Sequence, residues 1–321
     1  MNYRYEGSGE WKIKRPESWK LEDNFESVFL NRYGYYELRK QNTAEERSKD
    51  FEESYFQEYK GYSYAKEYPP EELLSIKNMI EEKAYIIEQN LSATGSLKKG
   101  KYSLLDIGCG EGFLLQYFHD KGIKVKGIDL GSYALSHFHP EMLAFFEQGD
   151  MHTLLPQMAE RGETYDVVNT DRALDMVPDA GASVEAIKKI MTDESILVIK
   201  VANNYSYLQQ MLMQSGELTQ EYWLDDPGHT GYFNREGMVN LLADHGFQCI
   251  DFYADTFVDF NLLNPLTNYY EHPEVGKAAH QMSVRIGNLL HEISMERTVA
   301  IYRMLADMGF GREITGIFRK K

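Results

Sequence analysis

Apolar positions along the chain follow two spacings, and the switches between them predict most of the fold. Leu73, Ile76, Ile80, Ala84, Ile87 and Leu91 recur every three or four residues, as on one face of a helix. Glu71 and Glu72 fall in its first turn, where the helix dipole favours acids. Pro69-Pro70 just before it marks a boundary, because proline disfavours helix in the residue preceding it. Beyond Gly95 and Gly100, short apolar runs alternate with helical stretches. Strands are predicted at 102–107, 125–129, 166–169, 196–201 and 247–253. Residues 142–146 lead toward a further edge strand, and 313–319 form the last. Helices are predicted at 113–119, 133–138, 184–191 and 236–245, the last stopped by Gly246. Such alternation predicts a parallel sheet covered by helices on both faces.

Between the last two strands lie roughly 60 residues, too many for a structureless loop. Met282, Ile286, Leu289 and Ile293 share a helical face there. Ligands of such sheets bind at the carboxyl ends of the strands, so this helical insert, 255–312, is placed to cap a substrate. Residues 1–70 hold Trp11, Trp19, Phe25, Phe29, Tyr33, Tyr35 and Tyr36 among many charges, without a clean strand pattern. They read as an irregular or helical extension packed on a main domain of residues 71–321.

Composition narrows the partners. A net charge of −16 repels phosphate backbones, and no dense Lys/Arg cluster offsets it, so nucleic acid is not expected as a partner. No run of about 20 apolar residues suggests a membrane span. The chain opens on polar and aromatic residues rather than a signal peptide, and its only two cysteines are Cys109 and Cys249. Both features point to a reducing, cytoplasmic setting. No Cys/His/Asp cluster has metal-ligand spacing, so no metal is expected. No G-x-S-x-G nucleophile elbow occurs.

The chemistry concentrates in Leu104-Leu105-Asp106-Ile107-Gly108-Cys109-Gly110-Glu111-Gly112. An apolar strand ends in an acid, and glycines then recur at every second position. Glycine is needed where the chain takes unusual dihedrals or a ligand touches the main chain. The spacing G-x-G-x-G differs from the G-x-G-x-x-G of dinucleotide enzymes, which argues against a nicotinamide dehydrogenase. Asp129 follows Asp106 by 23 residues, where an acid can grip ribose hydroxyls.

These residues resemble the first motif of the class I S-adenosylmethionine-dependent methyltransferases, roughly D-x-G-x-G-x-G. The resemblance implies a seven-stranded Rossmann-like sheet, S-adenosylmethionine as cofactor and S-adenosylhomocysteine as product. It implies that Asp106, Gly108, Cys109, Gly110 and Gly112 hold the methionine part, and Asp129 and Leu130 the ribose side. Gly149-Asp150-Met151 resembles the family segment in which Asp150 would bind the adenine amine while Met151 packs on the ring. Tyr165-Asp166-Val167-Val168-Asn169-Thr170-Asp171 resembles the fourth strand, making Asn169 and Thr170 cofactor contacts. Asp171 either faces the acceptor or caps the next helix. Leu174-Asp175-Met176 departs from the "leu-glu-his" phrase of many relatives and removes one candidate base.

Pro227-Gly228-His229-Thr230-Gly231-Tyr232-Phe233 resembles a "pro-x-his-x-x-tyr-phe" phrase in methyltransferases of bacterial sugar and polysaccharide pathways. It nominates His229 as general base, with a pKa suited to neutral pH. The bland reading is a structural histidine bonded to a loop carbonyl. Asn203, Asn204, Tyr205 and Trp223 follow the fifth strand as candidate acceptor contacts. The expected partner is a small polar acceptor, which this resemblance makes a saccharide, methylated on a hydroxyl. A nitrogen or carboxyl acceptor, or a non-catalytic cofactor-binding scaffold, are the alternatives. Tyr55, Tyr59, Tyr62 and Tyr64 lie where this family often closes over the cofactor.

Overall fold

The computed structural model describes residues 27–40, 67–93, 102–224, 228–255 and 257–321. Trp11, Trp19, Phe25 and the four tyrosines at 55, 59, 62 and 64 lie outside them.

A seven-stranded sheet carries the domain. Its strands are β3 (Ser103–Ile107), β4 (Lys124–Asp129), β5 (Phe146–Gln148), β6 (Tyr165–Asp171), β7 (Met191–Ala202), β9 (Phe247–Ala254) and β10 (Glu313–Lys320). They lie in the order β5-β4-β3-β6-β7-β10-β9. β10 runs antiparallel to both neighbours, so the expected parallel sheet is in fact mixed. Periodicity reports which faces are buried but not strand direction, and the excursion before β10 brings that strand back between β7 and β9. Strand order and flanking helices match the seven-stranded Rossmann-like sheet that the glycine motif implies.

Alternation within each strand feeds two cores. Leu104, Val167, Ile196 and Val198 face one side of the sheet, against α1 (Pro70–Ala93), α2 (Phe113–Asp120) and α9 (Met295–Asp307). Leu105, Val168, Leu197 and Ile199 face the other, against α4 (Met151–Glu160), α5 (Ala180–Lys189) and α7 (Arg235–Asp244). Each buried Val, Leu or Ile contributes about 1.5–3 kcal/mol relative to exposure. α3 (Tyr133–Phe138) and α6 (Tyr207–Ser215) flank the sheet, and Ser206 starts α6 with a capping box to Gln209.

Several boundaries differ from expectation. Residues 140–145 form a 3₁₀ turn, begun by Pro140, before β5. The helix expected at 184–191 ends at Lys189, and Met191 already belongs to β7. The insert folds as α8 (Gly276–Ile293) followed by α9, with Ser294 capping α9 through Arg297 N. Part of the N-terminal extension is neither irregular nor helical. β1 (Val28–Leu30) and β2 (Tyr36–Leu38) pair antiparallel, and β2 pairs β8 (Gly231–Tyr232) nearly 200 residues later. Three-residue strands completed by so distant a partner leave no local periodicity to read. Among the described residues no helix is long and apolar enough to cross a membrane, and both cysteines are free.

Candidate functional site

The face shared with α1 is apolar where the strands begin and polar where they end. Leu104 is followed on that face by Asp106, Val167 by Asn169 and Asp171, and Val198 by Lys200. Register aligns them into rows. Asp106 sits opposite Asn169, while Asp171, Lys200, Thr315 and Tyr253 form one line across β6, β7, β10 and β9. All six line a cavity of about 800 Å³ at the carboxyl edge of the sheet.

One half of the cavity is the glycine turn. Gly108, Gly110 and Gly112 have φ of 74°, 50° and 82°, values that side-chain-bearing residues rarely adopt. Gly108 N and Cys109 N donate to Ile128 O at 2.8 and 3.2 Å, tying the turn to β4. A Cβ on Gly108 would lie 2.8 Å from that of Ala173. Burial pushes the Cys109 thiol well above its ordinary pKa, so it serves as a small apolar side chain.

Carboxylates surround this turn. Asp106 is 3% exposed and accepts from Asn169 Nδ2 at 2.7 Å. Burial pushes its carboxyl up to about 7, against the pull of Asn169 and Lys83. Asp129 accepts from Gly110 N at 2.9 Å and Gly131 N at 3.2 Å. Burial raises it despite those bonds. Asp150 caps α4 through His152 N at 2.7 Å, and Leu130, Gly149, Asp150 and Met151 all line the cavity. Thr170 does not. Alternation along β6 turns it to the opposite face from Asn169 and Asp171.

The other half lies between the sheet and two helices. Ile76, Met79 and Ile80 of α1 and Val284 of α8 supply apolar wall. Lys277 and His280 of α8 and Arg172 after β6 add charge at the same cavity. Asn78 Nδ2 donates to Asn288 Oδ1 at 2.9 Å, and His291 Nε2 lies 2.8 Å from Glu82 Oε2, joining α1 to α8. On the floor, Lys83 Nζ lies 2.7 Å from Asp171 Oδ2 and 3.3 Å from Asn169 Oδ1. Lys200 Nζ pairs with Glu313 and, at 3.1 Å, with Asp255 Oδ2. Burial opposes the Lys200 charge, but Glu313, Asp255 and Asp171 hold its ammonium well above its ordinary pKa. Burial drives Asp255 up to about 8. Burial also opposes ionisation of Asp171, yet Lys83, Lys200 and Arg172 hold it below the usual carboxylate range.

Asp171 therefore caps no helix. It is an ion-paired carboxylate on the cavity wall, with 35% of its side chain exposed. Its Oδ1 has no hydrogen-bond partner among the described residues.

The remaining candidates lie elsewhere. His229 Nε2 is 3.3 Å from Oδ2 of the buried Asp175, and Thr230 N donates to Asp175 O at 2.8 Å. His229 is not among the described residues lining the cavity, although Met176 and Val177, next to Asp175, are. Asn203 Nδ2 donates to Gly311 O at 2.9 Å, and Asn204 N to Phe233 O at 2.7 Å. Tyr205 packs on Tyr36 and Trp223 with ring centroids 4.0 and 5.2 Å apart. Tyr205 and Trp223 belong to a separate aromatic cluster around β1, β2 and β8, and none of the four residues lines the cavity. Among the described residues no group of three or more His, Cys, Asp or Glu is arranged to hold a metal ion.

A family model described as a methyltransferase domain matches residues 69–251. Ubiquinone biosynthesis O-methyltransferase of Colwellia psychrerythraea is 25% identical over 160 residues, covering 48% of this chain and 65% of that protein. The protein of the same name from Ruegeria pomeroyi is 26% identical over 152 residues, covering 46% and 60%. The chain thus spans slightly less than two thirds of the length of these curated relatives. Among solved structures, a SAM-dependent methyltransferase from Archaeoglobus fulgidus is 17% identical, with a TM-score of 0.44 over 74% of this chain and 94% of that one. Magnesium protoporphyrin IX methyltransferase from Synechocystis PCC 6803, with bound SAH, is 20% identical, with a TM-score of 0.40 over 61% and 83%.

Proposed function

Because the chain belongs to the class I S-adenosylmethionine-dependent methyltransferases, we propose that it methylates a hydroxyl of a small acceptor lying between β6 and α8. The cavity chemistry fits the cofactor. The turn lines the cavity with bare main chain, since a Cβ would meet Ala173 Cβ at 2.8 Å from Gly108 and Leu135 Cδ1 at 2.3 Å from Gly112. Three carboxylates, Asp106, Asp129 and Asp150, match the three donor groups of the cofactor: ammonium, ribose hydroxyls and adenine amine. Ile128, Leu130 and Met151 supply apolar surface for the adenine ring. Gly108, Cys109, Gly110 and Gly112 bring main chain close to the methionine part. Thr170 contributes at most through its backbone.

Bound S-adenosylmethionine supplies a methyl group already activated on sulfonium, so the protein's task is placement. Asp106, fixed by Asn169, orients the amino-acid end. Asp171, next on the same face, receives the hydrogen of the acceptor hydroxyl. With the cofactor bound, this carboxylate would take the hydroxyl proton that methyl transfer releases. A carboxylate held below its usual pKa is still far more basic than the protonated ether that would otherwise form, so it serves late in the transfer. α8, from the insert 255–312, walls the acceptor compartment and acts as its cap.

The observation that carries this reading is Asp171: a carboxylate on the cavity wall, beside Asn169 and held ionised by Lys83. The names of the curated relatives favour oxygen as the methylated atom. They give the saccharide acceptor no support, and Asn203, Asn204, Tyr205 and Trp223 lie away from the cavity. His229 keeps a second reading as base, because Asp175 orients its ring and the loop joins the cavity through Met176 and Val177.

Calorimetry with S-adenosylmethionine, S-adenosylhomocysteine and NAD tests the cofactor assignment. Methyl transfer to a panel of catechols, phenols and nucleotide sugars tests the acceptor. Loss of a proton acceptor costs about 10²–10⁴-fold in rate. Asp171→Asn is expected to show that loss, and His229→Ala a change within a few-fold. The reverse pattern would transfer the role to His229.

A further inference from the structure

Lys83 belongs to no motif, yet it is 6% exposed at the centre of the cavity floor. It comes from α1, whereas its polar partners Asn169 and Asp171 both come from β6. Its ammonium lies 2.7 Å from Asp171 Oδ2 and 3.3 Å from Asn169 Oδ1. Asn169 in turn donates through Nδ2 to Asp106 Oδ1 at 2.7 Å. The amide thus passes the polarisation of Lys83 on: its oxygen faces the cation and its NH₂ the carboxylate. A continuous polar chain, Asp106–Asn169–Lys83–Asp171, joins the cofactor half of the cavity to the acceptor half. An ammonium has three donors, and Lys83 divides two of them between these halves.

We propose that Lys83 is a positioning residue that couples the two halves, so that the charge state of Asp171 sets how tightly Asp106 holds the cofactor. This rests on Asp106 receiving the ammonium at the amino-acid end of the cofactor. Removing Lys83 strips Asp106 of its nearest cation and favours its protonated form, which cannot hold an ammonium. Removing the charge of Asp171 does the opposite, because Lys83 then serves the Asn169–Asp106 pair alone and a like charge is gone. Acceptor binding, which engages Asp171, is therefore felt at the cofactor. By thermodynamic reciprocity, cofactor binding is felt at the acceptor to the same degree.

The other charged groups bearing on the chain are fixed by their own partners. Asp129 on β4 acts on Asp106 but is bonded to the backbone of Gly110 and Gly131. Lys200 on β7, Arg172 after β6 and Glu313 on β10 act on Asp171. Lys200 is held by Asp255 and Glu313, and Arg172 Nε lies 3.4 Å from Glu313 Oε1. Glu82, beside Lys83 on α1, is occupied by His291.

The test is calorimetric titration with S-adenosylhomocysteine from pH 5.5 to 8.5, on folded protein verified by circular dichroism, with no acceptor present. In the wild type, affinity is expected to fall toward acid as Asp106 protonates. Lys83→Met should move the midpoint of that fall to higher pH and weaken binding at pH 7 at least five-fold. Asp171→Asn should move the midpoint to lower pH. Lys83→Arg should restore the wild-type midpoint, and Lys83→Gln replaces Lys83→Met if the latter does not fold. A role confined to packing would shift neither midpoint, or both the same way, and either result overturns the coupling. Asp106→Asn separates the two levels. If it abolishes the pH dependence while the Lys83 variants shift nothing, the coupling alone fails. If it binds S-adenosylhomocysteine like the wild type, the assignment of Asp106 fails and the coupling with it.

Discussion

Gly108→Ala is the sharpest perturbation of the glycine turn, because both of its costs can be worked from geometry. Gly108 has φ of 74°, so any Cβ there costs roughly 1–2 kcal/mol in backbone strain. The new methyl would lie 2.8 Å from Ala173 Cβ. That is about 0.7 Å inside an ordinary carbon–carbon contact. Neither atom can rotate away, since each is fixed to its own main chain, so the turn and the end of the β6 loop must separate. Overpacking of this kind costs about 1–3 kcal/mol. Together the variant should lose about 2–5 kcal/mol, or roughly 3–8 °C in Tm for a domain of this size. Thermal unfolding reads that loss. Calorimetry with S-adenosylhomocysteine should read a weakening of at least about ten-fold, since both displaced segments line the cavity. The double variant Gly108→Ala with Ala173→Gly removes the contact but not the strain. It should recover about 1–3 kcal/mol and most of the affinity, less about 0.5–1 kcal/mol for the added glycine. A single variant with unchanged Tm and affinity would refute the reasoning. A double variant that recovers nothing would show that the contact is not the cause.

Other outcomes follow from the same interactions. Burial lifts both thiols, with Cys249 pushed up to about 12, so the folded protein should react slowly with a thiol reagent at pH 8 and expose two thiols only in denaturant. Asp251 is buried and bonded by Asn90 and by the guanidinium of Arg303, which lies within α9. Arg303→Met, which keeps the apolar stem, should cost on the order of 2–3 kcal/mol in denaturant unfolding, because it leaves that carboxylate short of its cation. Burial opposes the His291 charge, but Glu82 and the Gly287 carbonyl raise its pKa above the ordinary histidine value. A raised histidine stabilises the folded state fully below pH about 6.5, and that contribution fades as pH rises through the folded pKa. His291→Gln should therefore flatten the loss of stability on the alkaline side of neutrality, as read by Tm against pH.

What the sequence disclosed and what it hid divide along one physical line. The glycine turn, Asp106 and Asp129 were legible because each acid ends a local apolar strand pattern and the glycines follow Asp106 within six residues. Of the other half only Asp171 was nominated, since Lys83, Lys200 and Asp255 meet it only when α1, β6, β7 and β9 assemble. Two signals were nevertheless present. Lys200 interrupts the apolar run 196–201, where a buried lysine needs a partner. Lys83 continues the series Ile76, Ile80, Ile87 at helical spacing, a charge set into an apolar stripe. His229 drew attention by its phrase, whereas its place is set by Asp175, which only the tertiary structure brings beside it. The strands β1 and β2 were hidden because their third partner, β8, is so far along the chain.

The position of β10 between β7 and β9 has a consequence for how the protein is made. A chain emerging from the ribosome can lay β3 to β7 side by side in turn, but β9 arrives before the strand that joins it to them. Until residue 320 has cleared the exit tunnel, β7 and β9 face a gap one strand wide, each with an unpaired edge. Such edges template association between chains. The nascent protein therefore carries an aggregation hazard from the emergence of β9 until that of β10.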